Sequence, residues 1–270
     1  MNARFFGTLP LIVIVQALLS CRALAADVDV AIVFAVDVSG SINATTADLQ
    51  RKGHASALRS PETIAAIASN ERGCIAISYF EWSSPGQRRI VLPWRRICGI
   101  QDAQAAASII EETGDRGYGR AGRGGTSISY AISLARLLLD QYVGTATRKV
   151  IDISSNGRNN DGLPVEATRL MALAKGYTIN AIAVPPEHRG VPYSLAGYFA
   201  EEVIGGPSAF VIAPKTSDDY ATALRRKLAI EIAVNDASPT PRAAKTGSGS
   251  YGGVTLAAQA AGVDAITTAD

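Results

Sequence analysis

Apolar residues form short runs along this chain, and segments with helical spacing separate them. The clearest run, 31–36, is rich in β-branched residues and ends at Asp37 before a Ser-Gly-Ser turn. Such a short, continuous apolar run predicts a strand buried on both faces, as in a parallel sheet. Runs of the same kind predict further strands over 74–82, 88–94, 149–154, 177–184 and 209–212.

Helical spacing fills the intervals between these strands, which is typical of an α/β fold. The turn residues 83–87 separate the second and third strands, so these two are expected to form an antiparallel hairpin. Helices are predicted over 44–70 with a break at Pro61, 102–113, from Thr126 to 140, 164–175, 195–203 and 218–234.

The two ends of the chain are expected to lie outside the fold. Residues 1–25 have a positively charged N-terminal region, then an apolar stretch and an Ala-Leu-Ala cleavage site. This order indicates a secretory signal peptide. A membrane anchor is disfavoured because the apolar stretch is short. A lipoprotein signal that modifies Cys21 is the other alternative. Residues 26–234 are the predicted domain, and the Pro-, Gly- and Ser-rich tail 235–270 is predicted to be disordered or a linker.

The charge balance excludes one class of partner. The chain has 26 Lys and Arg against 24 Asp and Glu, and removal of residues 1–25 takes away Arg4 and Arg22. The mature chain is therefore close to neutral and lacks the excess of basic residues that is typical of nucleic-acid-binding proteins. No further transmembrane span is expected in it.

The first strand ends in residues suited to a hard cation. Asp37, Ser39 and Ser41 offer one carboxylate and two hydroxyls at alternate positions, and such oxygens are the ligands that Mg²⁺ prefers. In an open α/β sheet, ligands bind where the carboxyl ends of the strands meet the loops. Capping of the next helix is the alternative role for Asp37 and Ser39.

This D-x-S-x-S pattern after a buried strand resembles the metal-ion-dependent adhesion site (MIDAS) of von Willebrand factor type A domains. The resemblance implies a Rossmann-like, doubly wound α/β fold, with a mostly parallel sheet, one antiparallel hairpin strand and helices on both faces. It also implies one divalent cation, with Mg²⁺ expected and Ca²⁺ or Mn²⁺ as alternatives.

The resemblance implies two further ligands from other loops. Thr126 in the sequence G-G-T-S-I matches the second-loop threonine, with a helix N-cap as the alternative. The third loop carries Asn156 where the family has an acid. An Asn oxygen still accepts a hydrogen bond or ligates weakly, but one negative charge is lost, so cation affinity should fall.

The resemblance covers roughly residues 27–234. More narrowly, the chain resembles a group of uncharacterised bacterial exported proteins. The shared motifs include Y-F-E-W at 79–82, N-N at 159–160 and R-R-K-L at 225–228. An exported protein, periplasmic or secreted, is therefore expected.

Two of the three cysteines form a candidate disulfide. A hairpin centred near 85–86 would bring Cys74 opposite Cys98, and disulfides persist in exported proteins. Two buried thiols are the alternative.

Three functions follow for this chain. The leading one is a protein-binding module, without enzymatic activity, whose bound cation engages an exposed Asp or Glu of a partner protein. The second is an interaction or structural protein whose site no longer binds metal, because of Asn156. The third is a metal-dependent hydrolase, which is disfavoured because the chain has no G-x-S-x-G elbow.

Overall fold

The computed structural model describes residues 27–116, 124–185, 193–233 and 254–258. The strands are β1 (Val28–Asp37), β2 (Ile75–Trp82), β3 (Arg88–Ile97), β4 (Ala146–Ser155), β5 (Thr178–Ala183), β6 (Phe210–Pro214) and β7 (Val254–Ala258). The helices are α1 (Ala44–Leu58), α2 (Pro61–Ala68), α3 (Ile100–Thr113), α4 (Ile128–Asp140), α5 (Val165–Leu173), α6 (Tyr193–Tyr198), which continues as a π-helical turn (Phe199–Val203), and α7 (Tyr220–Ala233). The predicted signal peptide, including Cys21, lies outside the described residues.

The strands form one sheet in the order β3-β2-β1-β4-β5-β6-β7. β1 pairs in parallel with both β2 and β4, and β5 and β6 continue the parallel part. β3 runs antiparallel to β2, so the predicted hairpin is confirmed. The predicted doubly wound α/β fold is confirmed as well.

β1 is buried along its whole length, as its apolar run predicts. Side chains at 30, 32, 34 and 36 pack in the core beneath α1, α2, α3 and α7. Side chains at 31, 33 and 35 pack in the second core, on the face that α4 and α5 cover. Positions 30–36 are apolar without interruption because both faces of the strand are covered there.

The hairpin of β2 and β3 is closed by a disulfide. Ile75 pairs with Ile97, which places the preceding and following cysteines side by side. Cys74 and Cys98 are bonded, with their Cα atoms 4.2 Å apart.

The C-terminal tail contributes a strand, which corrects one sequence prediction. Val254–Ala258 pairs antiparallel with β6, although the tail 235–270 was predicted to be disordered or a linker. A five-residue segment with weak apolar character gives little local signal, and the exposed edge of β6 supplies the hydrogen-bond partners. The other tail residues lie outside the described part of the chain.

The topology creates one crevice at the carboxyl edge of the sheet. From β1 the chain crosses to β2 on one side, and β4 later adds on the other side. The strand order therefore reverses between β1 and β4, which is where doubly wound sheets bind ligands.

Candidate metal centre

Asp37 ends β1 at this crevice and is fully buried. Its Oδ1 accepts a hydrogen bond of 2.7 Å from the backbone N–H of Ser39, and its Oδ2 accepts one of 2.6 Å from the hydroxyl of Ser155. Burial raises the pKa of Asp37, and these hydrogen bonds oppose that rise. The carboxyl is therefore held rigidly, in surroundings that favour a nearby positive charge.

Four oxygen atoms form a continuous arc beside Asp37, which we call the oxygen cradle. The Thr126 hydroxyl donates to Ser39 Oγ at 3.0 Å, and Ser39 Oγ lies 3.4 Å from Ser41 Oγ. The Ser41 hydroxyl donates to Asn156 Oδ1 at 2.8 Å. The cradle thus joins the loop after β1, the segment before α4 and the loop after β4.

Backbone contacts hold the three segments in place. Gly40 N donates to Gly124 O at 3.0 Å, which ties the first loop to the second. Thr126 N donates to Asn160 Oδ1 at 2.7 Å, and Asn160 N donates back to Thr126 O at 2.9 Å. A Cβ atom at Gly125 would lie 2.8 Å from Asn160 Oδ1, so the glycine before Thr126 permits this close approach.

A buried polar layer supports the crevice from below. Gln50 of α1 donates from Nε2 to the carbonyl of Asp37 at 2.9 Å. Ser154 donates to Gln50 Oε1 at 2.8 Å and lies 3.0 Å from the Tyr220 hydroxyl. These contacts connect β1, β4, α1 and α7 immediately behind the candidate site.

The cradle fits a small hard cation. Octahedral Mg²⁺ with bonds of 2.0–2.1 Å separates neighbouring ligand oxygens by about 2.9 Å. The 3.0 and 3.4 Å separations at Ser39 are of this order, and the 2.8 Å separation of Ser41 and Asn156 is as well. The donor set contains hydroxyl, amide and carboxyl oxygens, which are hard ligands.

The structure places all five predicted metal-site residues at this crevice: Asp37, Ser39, Ser41, Thr126 and Asn156. Thr126 and Ser39 are buried, whereas Ser41 is exposed and Asn156 is half-buried. The site is therefore closed from below and open toward solvent at Ser41.

Two nearby acids do not join the cradle. Asp161 Oδ2 accepts a hydrogen bond from the Ser84 hydroxyl, so it holds the hairpin turn. Asp152 lies in the middle of β4, where it pairs with Lys227 of α7 at 2.6 Å. Neither compensates for the missing charge at Asn156.

Sequence reasoning missed several positioning residues. Ser155 and Gln50 hold Asp37, yet a serine or a glutamine has no distinctive local pattern. Glu81 belongs to the Y-F-E-W motif, which does not indicate the contacts that its side chain makes. It is buried, accepts two hydrogen bonds from Arg89 and one from Asp115 N, and so fixes the segment just after α3.

The site has no histidine beside its serines among the described residues. His54 is buried between Phe34 and Tyr79, and its Nδ1 lies 2.8 Å from the carbonyl of Gln50. Burial lowers its pKa to about 4. The described part of the chain also has no group of three His, Cys, Asp or Glu side chains arranged to hold a metal. Its helices all lack the length and apolar character that crossing a membrane requires.

Comparison with known proteins identifies the family. Residues 27–236 match the family described as protein of unknown function (DUF1194). The chain belongs to the DUF1194 family. No curated protein matches its sequence. The match leaves the biochemical role open, so function has to be argued from the site.

Solved structures show that this DUF1194 chain has a von Willebrand factor type A fold. It resembles a type A domain protein from Catenulispora acidiphila, with a TM-score of 0.50, 14% identity, and coverage of 77% of this chain and 43% of that one. It also resembles the pilus adhesin SpaC from Lactobacillus rhamnosus GG, with a TM-score of 0.52, 14% identity, and coverage of 76% and 31%.

A third similar structure is proximal thread matrix protein 1 from the mussel byssus, described with a zinc-occupied MIDAS motif. The TM-score is 0.52 at 18% identity, and the match covers 77% of this chain and 48% of that one. The DUF1194 chain thus spans less than half the length of these three proteins, and the likeness extends to the fold.

Proposed function

We propose that this protein is an exported binding module that engages an acidic residue of a partner protein through a divalent cation. The observation that carries the proposal is the oxygen cradle, in which Thr126, Ser39, Ser41 and Asn156 lie in consecutive contact beside the buried Asp37. A bound cation, with Mg²⁺ expected, would offer an open coordination position to a carboxylate.

The charges of the cradle support an anionic partner. Its hydroxyls and the Asn156 amide are neutral, so Asp37 is the one carboxyl among the five predicted ligands. The positive charge would be incompletely neutralised, and in a partly desolvated site it attracts an incoming carboxylate strongly. Ser41 lies at the exposed side of the site, where a partner can reach it.

The side chain of Arg158 would add to this attraction. Arg158 follows Asn156 by two residues and is exposed. Its guanidinium lies 4.6 Å from the centroid of the Tyr198 ring, and the Tyr198 hydroxyl accepts a hydrogen bond from Asn159 N. The contact with the Tyr198 ring orders this exposed arginine two residues after Asn156, and its positive charge favours an acidic partner surface.

The similar structures and the disulfide support the same interpretation. One is a pilus adhesin, and another has a MIDAS motif occupied by zinc. The Cys74–Cys98 disulfide agrees with an oxidising location outside the cytoplasm. That the protein is exported, that it binds a metal ion and that it engages an acidic partner all belong to this proposal.

A second candidate is an interaction protein whose site works without metal. The hydrogen bond from Ser41 to Asn156 at 2.8 Å favours it, because this bond and the one from Thr126 to Ser39 partner the cradle hydroxyls within the protein. Hydrolysis is disfavoured under both candidates, because within the described ranges no histidine lies beside Ser39 or Ser41, and His54 is in the core.

Calorimetric titration of the metal-stripped protein with Mg²⁺, Mn²⁺ and Ca²⁺ tests the proposal. We expect saturable binding at one site, and loss of it in Asp37→Asn, which preserves the shape of the side chain. Asp161→Asn is the matched control, because Asp161 lies nearby outside the cradle, and it should bind like the wild type. Absence of binding at millimolar ion would favour the second candidate.

A further inference from the structure

A cavity of about 300 Å³ lies at the edge of the sheet opposite the metal centre. It is formed by the N-terminal halves of β4 and β5, the start of β6 and the last turns of α7. Its volume is at the lower end of the range for small-molecule sites. It shares no residue with the oxygen cradle, and we call it the β4–β5 cavity.

The charged residues that line this cavity are three cations and one carboxyl. Arg148, Lys149 and Lys175 provide the positive charges, and Glu231 provides the carboxyl. Arg148 Nη2 donates to the carbonyl of Ile232 at 3.0 Å, which fixes the guanidinium beside the end of α7. The lining therefore has a net positive charge whether Glu231 is ionised or neutral.

Glu231 has an acceptor that the fold leaves unused. Its Oε1 accepts hydrogen bonds from Lys227 and from Asn180 Nδ2, the latter at 2.8 Å. Its Oε2 is buried and has no hydrogen-bond partner among the described residues. Most buried polar atoms are satisfied within the fold, so this one is an exception that a bound donor or acceptor would remove.

Burial and the charge of Asp152 favour the protonated form of Glu231, whereas the Lys227 ammonium, which forms an ion pair with Glu231 Oε1, opposes it. Lys227 pairs with Asp152 of β4 at 2.6 Å, so its charge is already matched. His54 of α1 is neutral at physiological pH, and Arg148 of β4 lines the same cavity. Burial, followed by the charge of Asp152, raises the pKa of Glu231 to about 8. At neutral pH the carboxyl is mostly a hydrogen-bond donor.

The backbone of one residue that lines the cavity is unusual as well. Ser208 lines the cavity and has a φ of 55°, the one positive value at a non-glycine position within the described residues. Such conformations are uncommon and tend to occur at functional sites. This observation is independent of the charges.

We propose that the β4–β5 cavity binds a small organic carboxylate, which accepts the proton of Glu231 in a hydrogen bond and pairs with Arg148. A planar guanidinium matches a carboxylate in shape, and a carboxylic acid is a strong donor to a carboxylate. The volume limits the ligand to a small acid of the size of succinate. Inorganic phosphate is the competing anion.

Titration of the full chain with succinate at about pH 6.5 and about pH 9 tests this proposal. We expect saturable one-to-one binding at the lower pH, and a loss of affinity of about tenfold or more at the higher pH, because the protonated fraction of Glu231 falls. Glu231→Gln keeps a neutral donor, so it should bind equally at both values.

Three substitutions separate the cavity from other anion sites and from the metal centre. Arg148→Gln should weaken succinate binding about tenfold or more, whereas Arg226→Gln on the exposed side of α7 should not change it. Asp37→Asn should also leave succinate binding intact, so failure at the metal centre is distinguishable from failure here. Absence of binding, equal binding by Arg148→Gln, or tighter binding of phosphate would overturn the proposal.

Discussion

The hydroxyl of Ser155 donates a hydrogen bond of 2.6 Å to Oδ2 of Asp37, across 118 positions of sequence. The bond joins the ends of β1 and β4 at the crevice where the strand order reverses. It holds in place the one carboxyl among the five predicted metal ligands. Ser155 is therefore a positioning residue for Asp37.

Loss of this hydroxyl should destabilise the domain. Ser155→Ala leaves Asp37 Oδ2 without its protein donor in a buried site, so the free energy of unfolding should fall by about 1–3 kcal/mol. Urea denaturation at neutral pH measures the change. Ser194→Ala, on the exposed start of α6, is the control and should match the wild type. Equal stability of both variants would show that Ser155 has no such role.

Restoring an acid at position 156 should strengthen cation binding. Asn156→Asp adds a negative charge to the cradle and keeps the oxygen that accepts from Ser41. Affinity for Mg²⁺ should rise about tenfold or more, which calorimetry measures directly. Asn160→Asp adds the same charge outside the cradle and keeps the acceptor for Thr126 N, so its effect should be smaller. Equal gains in both variants would point to a general field effect instead of ligation.

The buried Glu231 should make stability depend on pH. Its folded pKa of about 8 exceeds the ordinary value of 4.5, so the folded state binds more protons between these values and stability falls as pH rises. His54 has the opposite effect from about pH 4 to 6.5, because its folded pKa is lowered. The decline should therefore be clearest between about pH 6.5 and 8.

Denaturation series at several pH values test this dependence. In the wild type the free energy of unfolding should decrease by up to about 1.4 kcal/mol per pH unit in that window. Glu231→Gln has no titrating carboxyl there, so its curve should be flatter and its stability should exceed that of the wild type at about pH 8. A wild-type curve as flat as that of the variant would contradict the raised pKa.

The disulfide should contribute to stability through the unfolded state. Cys74 and Cys98 are 24 positions apart, and a closed loop of this length corresponds to about 3.5 kcal/mol in the chain-entropy description. The double variant Cys74→Ser, Cys98→Ser should lose about that amount in urea denaturation. The wild type with reductant should behave like the variant, and reductant should not affect the variant itself. No difference between oxidised and reduced protein would contradict the prediction.

The sequence by itself determined the local features of this protein. Continuous apolar character at 31–36 identified a strand buried on both faces, and turn residues at 83–87 identified the hairpin. The cradle residues on the first two loops were recognisable because D-x-S-x-S and G-G-T are short, contiguous patterns. Each of these signals lies within a few residues, where spacing and residue type decide the conformation.

Only the tertiary structure decided which of these features meet. The bond from Ser155 to Asp37, the support from Gln50, and the pairing of Lys227 with Asp152 join residues that are far apart in the chain. The sequence around a polar residue in a strand or helix does not predict which distant residue it will contact. β7 and the β4–β5 cavity depend on exposed edges and on gaps between packed elements, which exist only after the sheet has assembled.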